Sequence, residues 1–170
     1  LACALVSRPK LLFLDEPTTG LDPQARRRVW EIVEGFKNAG GTVLLTTHYM
    51  EEAERLADDV VIVDAGKIIA EGSPAAVIGS LQAESIVEIH PKDGSGDRLL
   101  DAALLTLPGV GEVRREGSSL TLVVTDTQAS VGALLGHLTT VGVELESLRT
   151  HSPTLEDVFV ALTGKHLRDG

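Results

Sequence analysis

Leu11-Leu-Phe-Leu-Asp-Glu-Pro-Thr-Thr-Gly-Leu-Asp22 is the stretch from which the rest of this chain is read. Four consecutive apolar residues, Leu11 to Leu14, predict a strand buried in a parallel sheet, where continuous apolar runs replace in–out alternation. The run leads straight into Asp15 and Glu16, so the strand delivers two carboxylates to the edge of the sheet where open α/β folds bind ligands. Asp15 has the chemistry to hold Mg²⁺ through oxygen contacts. Glu16 has the chemistry to orient or polarise an attacking water. An ordinary strand followed by a solvated acidic turn would also contain such a pair, and only the whole string separates the two readings.

Outward from this stretch, Asp22-Pro23 opens a helix, with Asp as the N-cap and Pro at the first position. Val29, Ile32, Val33 and Phe36 recur at helical spacing and mark its inner face. Ala39-Gly40-Gly41 stops it. Such a helix is roughly 24 Å long at ~1.5 Å per residue, enough to return along a strand. Thr42 to Thr47 reads as that next strand, and His48 follows it. If the two strands are parallel, Asp15, Glu16 and His48 share one crest. Adjacent strands lie ~4.8 Å apart, so these groups come within reach of one ligand.

The opening string resembles the Walker B segment and D-loop of an ATP-binding cassette (ABC) ATPase. Val43-Leu-Leu-Thr-Thr-His48 resembles the strand and switch histidine of that family, and Met50-Glu-Glu-Ala-Glu-Arg-Leu-Ala-Asp58 the short helix after it. Val60 to Gly72 resembles the closing hairpin, with Asp64-Ala-Gly-Lys-Ile-Ile-Ala-Glu-Gly-Ser-Pro74 close to the family's wording. The match covers residues 1 to about 80 without a gap and in the family's order. It implies that Asp15 binds the Mg²⁺ of ATP through water, that Glu16 is the general base and that His48 contacts the γ-phosphate. Gly20, Leu21 and Asp22 match the D-loop, which in this family crosses to a second ATPase subunit.

The character changes around Ser80 to Ala83. Ile86–Ile89 reads as a strand, Arg98–Leu105 as a helix, Val110–Arg114 and Leu120–Val124 as a hairpin pair, Ala129–Val141 as a helix and Glu144–Leu148 as a strand. That order, βαββαβ, is the ferredoxin-like pattern. A last helix follows Thr154, with Thr154 and Asp157 in capping-box spacing. Pro153-Thr-Leu-Glu-Asp-Val-Phe159 makes this half resemble the drug-exporter ATPase subunits of the daunorubicin-resistance type. The expected fold is therefore α/β, a partial P-loop NTPase sheet over 1–80, followed by a small α+β accessory domain over 84–170.

Composition bounds the function. The chain has 170 residues, 43% hydrophobic but only 3% aromatic, so its core is aliphatic. A formal net charge of −10 argues against a nucleic-acid-binding surface. Cys3 is the single cysteine, so no intrachain disulfide forms and a cytosolic setting fits. No apolar run reaches the ~20 residues that span a bilayer. The membrane link implied by the resemblance then runs through a separate permease, with the subunit peripheral on the cytoplasmic face.

Absences complete the reading. There is no Gly-x-x-x-x-Gly-Lys-Ser/Thr, since Gly66-Lys67 runs into Ile68 and Gly164-Lys165 into His166. The glutamine loop and a Leu-Ser-Gly-Gly-type signature are missing too. Leu1 to Ser7 reads as the last turns of a helix, so the chain is expected to be a fragment, with the hydrolytic wall of an ATP site but not its phosphate cradle. His90, His137, His151 and His166 lack metal-ligand spacing. Cys3 is expected to be a buried small side chain and Trp30 a core or interface residue. Arg26-Arg27-Arg28 and the acidic group Glu51, Glu52 and Glu54 are expected to be solvated.

The resemblance implies an ATP-binding and ATP-hydrolysing subunit that works as a dimer on a permease, exporting a drug, antibiotic or lipid-like compound, with this chain alone inactive. Three rivals stay open: a non-transport ABC ATPase, a catalytically silent dimerisation module, and a metal-dependent hydrolase built on Asp15, Glu16, Asp22 and His48.

Overall fold

The computed structural model describes residues 2–164; the expectations for the Cys3 side chain and for His166 lie outside the described residues. The chain divides into two compact units, residues 2–78 with 154–164, and residues 79–153.

The first unit begins with α1 (Ala2–Val6), β1 (Leu11–Asp15), α2 (Pro23–Asn38) and β2 (Thr42–Thr46). β1 and β2 are parallel, in register from Leu11↔Thr42 to Asp15↔Thr46. The helix between them starts where Asp22 Oδ1 accepts hydrogen bonds from the Gln24 and Ala25 amides, and ends at Ala39, just before Gly40. Its inner face carries Trp30 and Val33, which pack with Leu56 against Leu14, Val43 and Leu45. The opposite face of the strand pair differs from the expectation of a strand covered on both sides. Phe13 is 68% exposed and Leu44 58%. One helical layer covers one face of a sheet, and no described residue supplies the second layer that such apolar strands require.

α3 (Met50–Leu56) leads into an antiparallel hairpin, β3 (Val60–Asp64) and β4 (Lys67–Gly72), and then α4 (Pro74–Gly79). Among the described residues, β2 pairs only with β1 and β3 only with β4. Both therefore keep an unpaired edge, and a cleft of ≈ 890 Å³ is lined by Thr42–Thr47 of one and Val60–Asp64 of the other.

The second unit runs β5 (Ser85–Pro91), a 3₁₀ segment (Lys92–Arg98), α5 (Asp101–Leu104), β6 (Val110–Glu116), β7 (Ser119–Val124), α6 (Thr127–Val141) and β8 (Leu145–His151). Its sheet order is β6-β7-β5-β8, and every neighbouring pair is antiparallel. This is the arrangement that the ferredoxin-like βαββαβ order produces. Val87, Ile89, Leu120, Leu122 and Val124 from the sheet meet Leu104, Leu134 and Leu138 from the helices in an all-aliphatic core. The helix expected over Arg98–Leu105 is split. Arg115 donates to the Gly96 and Leu99 carbonyls and to Asp101 Oδ1, and Leu99 is fully buried in extended conformation, so α5 begins only at Asp101.

The last helix, α7 (Leu155–Thr163), has the expected capping box. Asp157 N–H donates to Thr154 Oγ1 at 3.3 Å, and the Thr154 amide donates to Asp157 Oδ2 at 2.8 Å. It packs against α3 and belongs to the first unit, whereas the expected division grouped it with the second half. Local capping is written in sequence; the surface that receives an apolar helix face is not. Replacing Thr154 by alanine is expected to lower the stability of the first unit by about 1 kcal/mol. Urea unfolding followed by the fluorescence of Trp30, the single tryptophan of the chain, measures this in that unit alone. Among the described residues no helix is long and apolar enough to cross a membrane.

Candidate active site

The parallel pairing of β1 and β2 sets the site. Asp15 lies opposite Thr46 in register, and the Thr46 hydroxyl donates to Asp15 Oδ1. The ladder gains one further bond, from the Glu16 amide to the Thr46 carbonyl at 2.9 Å. Glu16 then turns the chain with φ at 42°, in the left-handed region that non-glycine residues rarely adopt. Such backbone strain concentrates at functional sites. Here the turn is held by the Thr19 amide donating to the Glu16 carbonyl and by Thr19 Oγ1 donating to Glu16 Oε2 at 3.1 Å. Thr18, between them, is fully buried and anchors the loop.

His48 follows the end of β2, and its Nδ1 lies 3.4 Å from Glu16 Oε1. Both side chains are only partly exposed, 31% for His48 and 47% for Glu16. Asp15, Glu16 and His48 thus stand together on one crest. Gly20 turns the following loop with φ at 76°, and Leu21 and Asp22 lead into α2. Asp22 is committed to the helix. The amides of Ala25 and Gln24 stabilise its carboxylate and hold its pKa below the ordinary aspartate value. Because the folded pKa is depressed, this stabilisation is present above the unfolded pKa and is lost as pH falls through the folded one. The stability advantage of the wild type over Asp22→Asn is therefore expected to shrink between about pH 5 and about pH 2. Trp30, on the same helix, reports it by fluorescence.

The crest offers Mg²⁺ one open carboxylate oxygen. Asp15 uses Oδ1 for Thr46, and Oδ2 makes no hydrogen bond among the described residues. A single carboxylate with one open oxygen suits an ion that keeps most of its waters and takes its remaining ligands from phosphate. Among the described residues no three His, Cys, Asp or Glu side chains gather into a closed metal cage.

Several contributors escaped the sequence reading. Thr46 is legible only from the register, four residues into its strand as Asp15 is into its own. Two charged residues expected in solvent are packed instead. Glu52 is fully buried and accepts from Trp30 Nε1 at 2.8 Å. The Arg26 guanidinium lies 4.2 Å from the centre of the Tyr49 ring. Charged side chains are placed outside by default, and nothing in the sequence marks such exceptions.

Two protein-family models match the chain. Residues 1–52 match an AAA domain model, described for the AbiEii toxin and type IV TA systems. Residues 72–163 match the C-terminal domain of the ATP-binding protein DrrA1-3-like family. The daunorubicin resistance ATP-binding protein DrrA3 of Streptomyces coeruleorubidus is 40% identical over 169 residues, 99% of this chain and 52% of that protein. The Nod factor export ATP-binding protein I of Cupriavidus metallidurans is 42% identical over 169 residues, again 99% of this chain and 52% of that protein. The chain thus spans about half the length of the curated relatives it matches. Among solved structures, cbiO1 from Clostridium perfringens, part of the ABC transporter complex cbiONQ, aligns at a TM-score of 0.39 and 38% identity over 43% of this chain and 30% of that one.

Proposed function

The chain belongs to the DrrA1-3-like family of ABC ATP-binding proteins, and from that premise we infer that it forms the C-terminal part of a transporter's ATP-hydrolysing subunit. The intact subunit works as a dimer on a separate membrane permease, peripheral on the cytoplasmic face, and powers export of a drug, antibiotic or lipid-like compound. Residues 1–80 supply the hydrolytic wall, and the ferredoxin-like unit serves as an accessory domain. The observation that carries this reading is the approach of His48 Nδ1 to Glu16 Oε1 at 3.4 Å, on a crest shared with Asp15.

MgATP supplies the phosphoryl group and its counter-ion when bound. Asp15 would hold the ion with its open oxygen, through water. Glu16 takes a proton from the attacking water at its carboxylate. His48, on the neighbouring strand end, fixes the position of that water and of the terminal phosphate. Gly20, Leu21 and Asp22 present the loop toward the second subunit. The cradle for the remaining phosphates comes from the half of the relatives' length that this chain does not span. The unpaired edges of β2 and β3 are the places where that half can continue the sheet.

The reading divides the labour between two halves, so it is tested by comparing them. The full-length subunit is expected to hydrolyse ATP, and the purified 170-residue chain is expected not to. Turnover by the chain alone that disappears in Glu16→Gln would overturn this division. An intact subunit that assembles yet never hydrolyses ATP would favour the silent dimerisation module instead.

A further inference from the structure

We propose that Arg26 is a positioning residue for His48, acting through the ring of Tyr49. The inference rests on the functional reading above for its consequence in turnover, but not for its geometry. Three contacts make the chain of packing. The Arg26 guanidinium lies 4.2 Å from the Tyr49 ring centre. The Tyr49 and His48 rings stand 4.1 Å apart at an interplanar angle of 41°. His48 Nδ1 faces Glu16 Oε1 at 3.4 Å.

The side chains flanking His48 have little freedom of their own. Its neighbour is fixed on the backbone side, where the Tyr49 amide donates to Thr47 Oγ1 at 3.0 Å. On the ring side, a planar cation over an aromatic face is a directional contact. Arg26 Nε is buried and has no hydrogen-bond partner among the described residues, so the contact this part of the side chain makes is the one with the Tyr49 ring.

The rest of α2 holds α3 along the same line. Trp30 donates to Glu52, Arg55 donates to Glu34, and Lys37 donates to the Leu56 carbonyl. Arg26, Trp30, Glu34 and Lys37 recur at helical spacing, so one stripe of α2 grips the helix that follows His48 from its first turn to its last. The stripe begins one turn after Asp22, whose carbonyl accepts the Arg26 amide at 2.9 Å. The loop Gly20–Asp22 and the His48 ring are therefore attached to the same rigid helix. A displacement of that loop reaches His48 through Arg26 and Tyr49.

Nuclear magnetic resonance of the 170-residue chain tests this without ATP. In Arg26→Gln, which keeps the length and removes the cation, the His48 ring resonances are expected to move toward unstructured values. The Tyr49–His48 ring cross-peaks are expected to weaken while the Trp30 indole N–H signal stays in place. Arg26→Lys, which keeps a cation, is expected to restore part of the shift, and Tyr49→Phe, which keeps the ring, to leave His48 unmoved. Unchanged His48 signals in Arg26→Gln overturn the proposal. If that variant does not fold, a His48 displacement in Tyr49→Phe as large as its displacement in Arg26→Lys overturns it as well. In the full-length subunit the same Arg26→Gln change is expected to lower kcat about tenfold with ATP affinity unchanged. A subunit that hydrolyses no ATP would defeat the functional reading and leave the spectroscopic result standing.

Discussion

Glu16→Gln is expected to cut ATP turnover by the full-length subunit by about 10²–10⁴-fold, the usual contribution of a positioned general base. ATP affinity is expected to stay within about twofold, because the substitution removes a proton acceptor and not a phosphate contact. Glutamine has the shape of glutamate, and its amide oxygen can still accept from Thr19 Oγ1, so the turn at Glu16 is retained. What disappears is the carboxylate that faces His48 Nδ1. Radiolabelled ATP binding and steady-state phosphate release, measured on one preparation, separate the two quantities. Turnover within a few-fold of wild type would remove Glu16 from the base role, and equal losses of binding and turnover would point to a collapsed loop. The left-handed φ of 42° at this position makes the second result worth checking by circular dichroism.

The clustering of Asp15, Glu16 and His48 was legible where covalent neighbourhood and strand periodicity determine it. Asp15 ends a strand with Glu16 directly after it, His48 lies two residues past the end of the next, and the parallel pairing brings these ends together. The second unit was legible for a similar reason. Short strands and helices in βαββαβ order admit few sheet arrangements, and the β6-β7-β5-β8 order is one of them. Contacts between elements remote in sequence were not legible. Glu52 is a charged residue that composition places in solvent, and its burial, like the contact of half-buried Arg26 with half-buried Tyr49, depends on which faces of α2 and α3 meet. The docking of α7 on α3 is a contact of the same kind, separated by the whole of the second unit. The apolar run Leu11–Leu14 predicts a strand buried in a parallel sheet, yet Phe13 stays exposed on the face that α2 does not cover. Strand hydrophobicity states how many layers a sheet needs; it does not state which segment provides them.

The contact between Trp30 and Glu52 leads to the largest expected change in stability. Trp30 is 3% exposed and Glu52 is fully buried, with Oε1 accepting the indole N–H and Oε2 lacking any partner among the described residues. Trp30→Phe keeps an aromatic ring in the core but removes the one donor to this carboxyl group among the described residues. Loss of part of a buried side chain costs about 1–2 kcal/mol, a fraction of the 3–5 for a full Trp→Ala truncation. Leaving a buried polar group wholly unpaired adds about 1–3 kcal/mol. The single substitution is therefore expected to destabilise the first unit by about 3 kcal/mol, a large share of the ~5–15 kcal/mol that holds a typical domain together. Pairing it with Glu52→Leu removes the orphaned oxygens together with the lost donor, and the double variant is expected to be more stable than Trp30→Phe alone. Urea unfolding monitored by far-ultraviolet circular dichroism across the two single variants and the double one gives the coupling energy directly. Additive losses would mean that packing alone joins α2 to α3 here. A double variant whose loss is smaller than the sum of the two singles by about 1 kcal/mol or more would mean that a buried hydrogen bond helps hold the helix behind His48 in place.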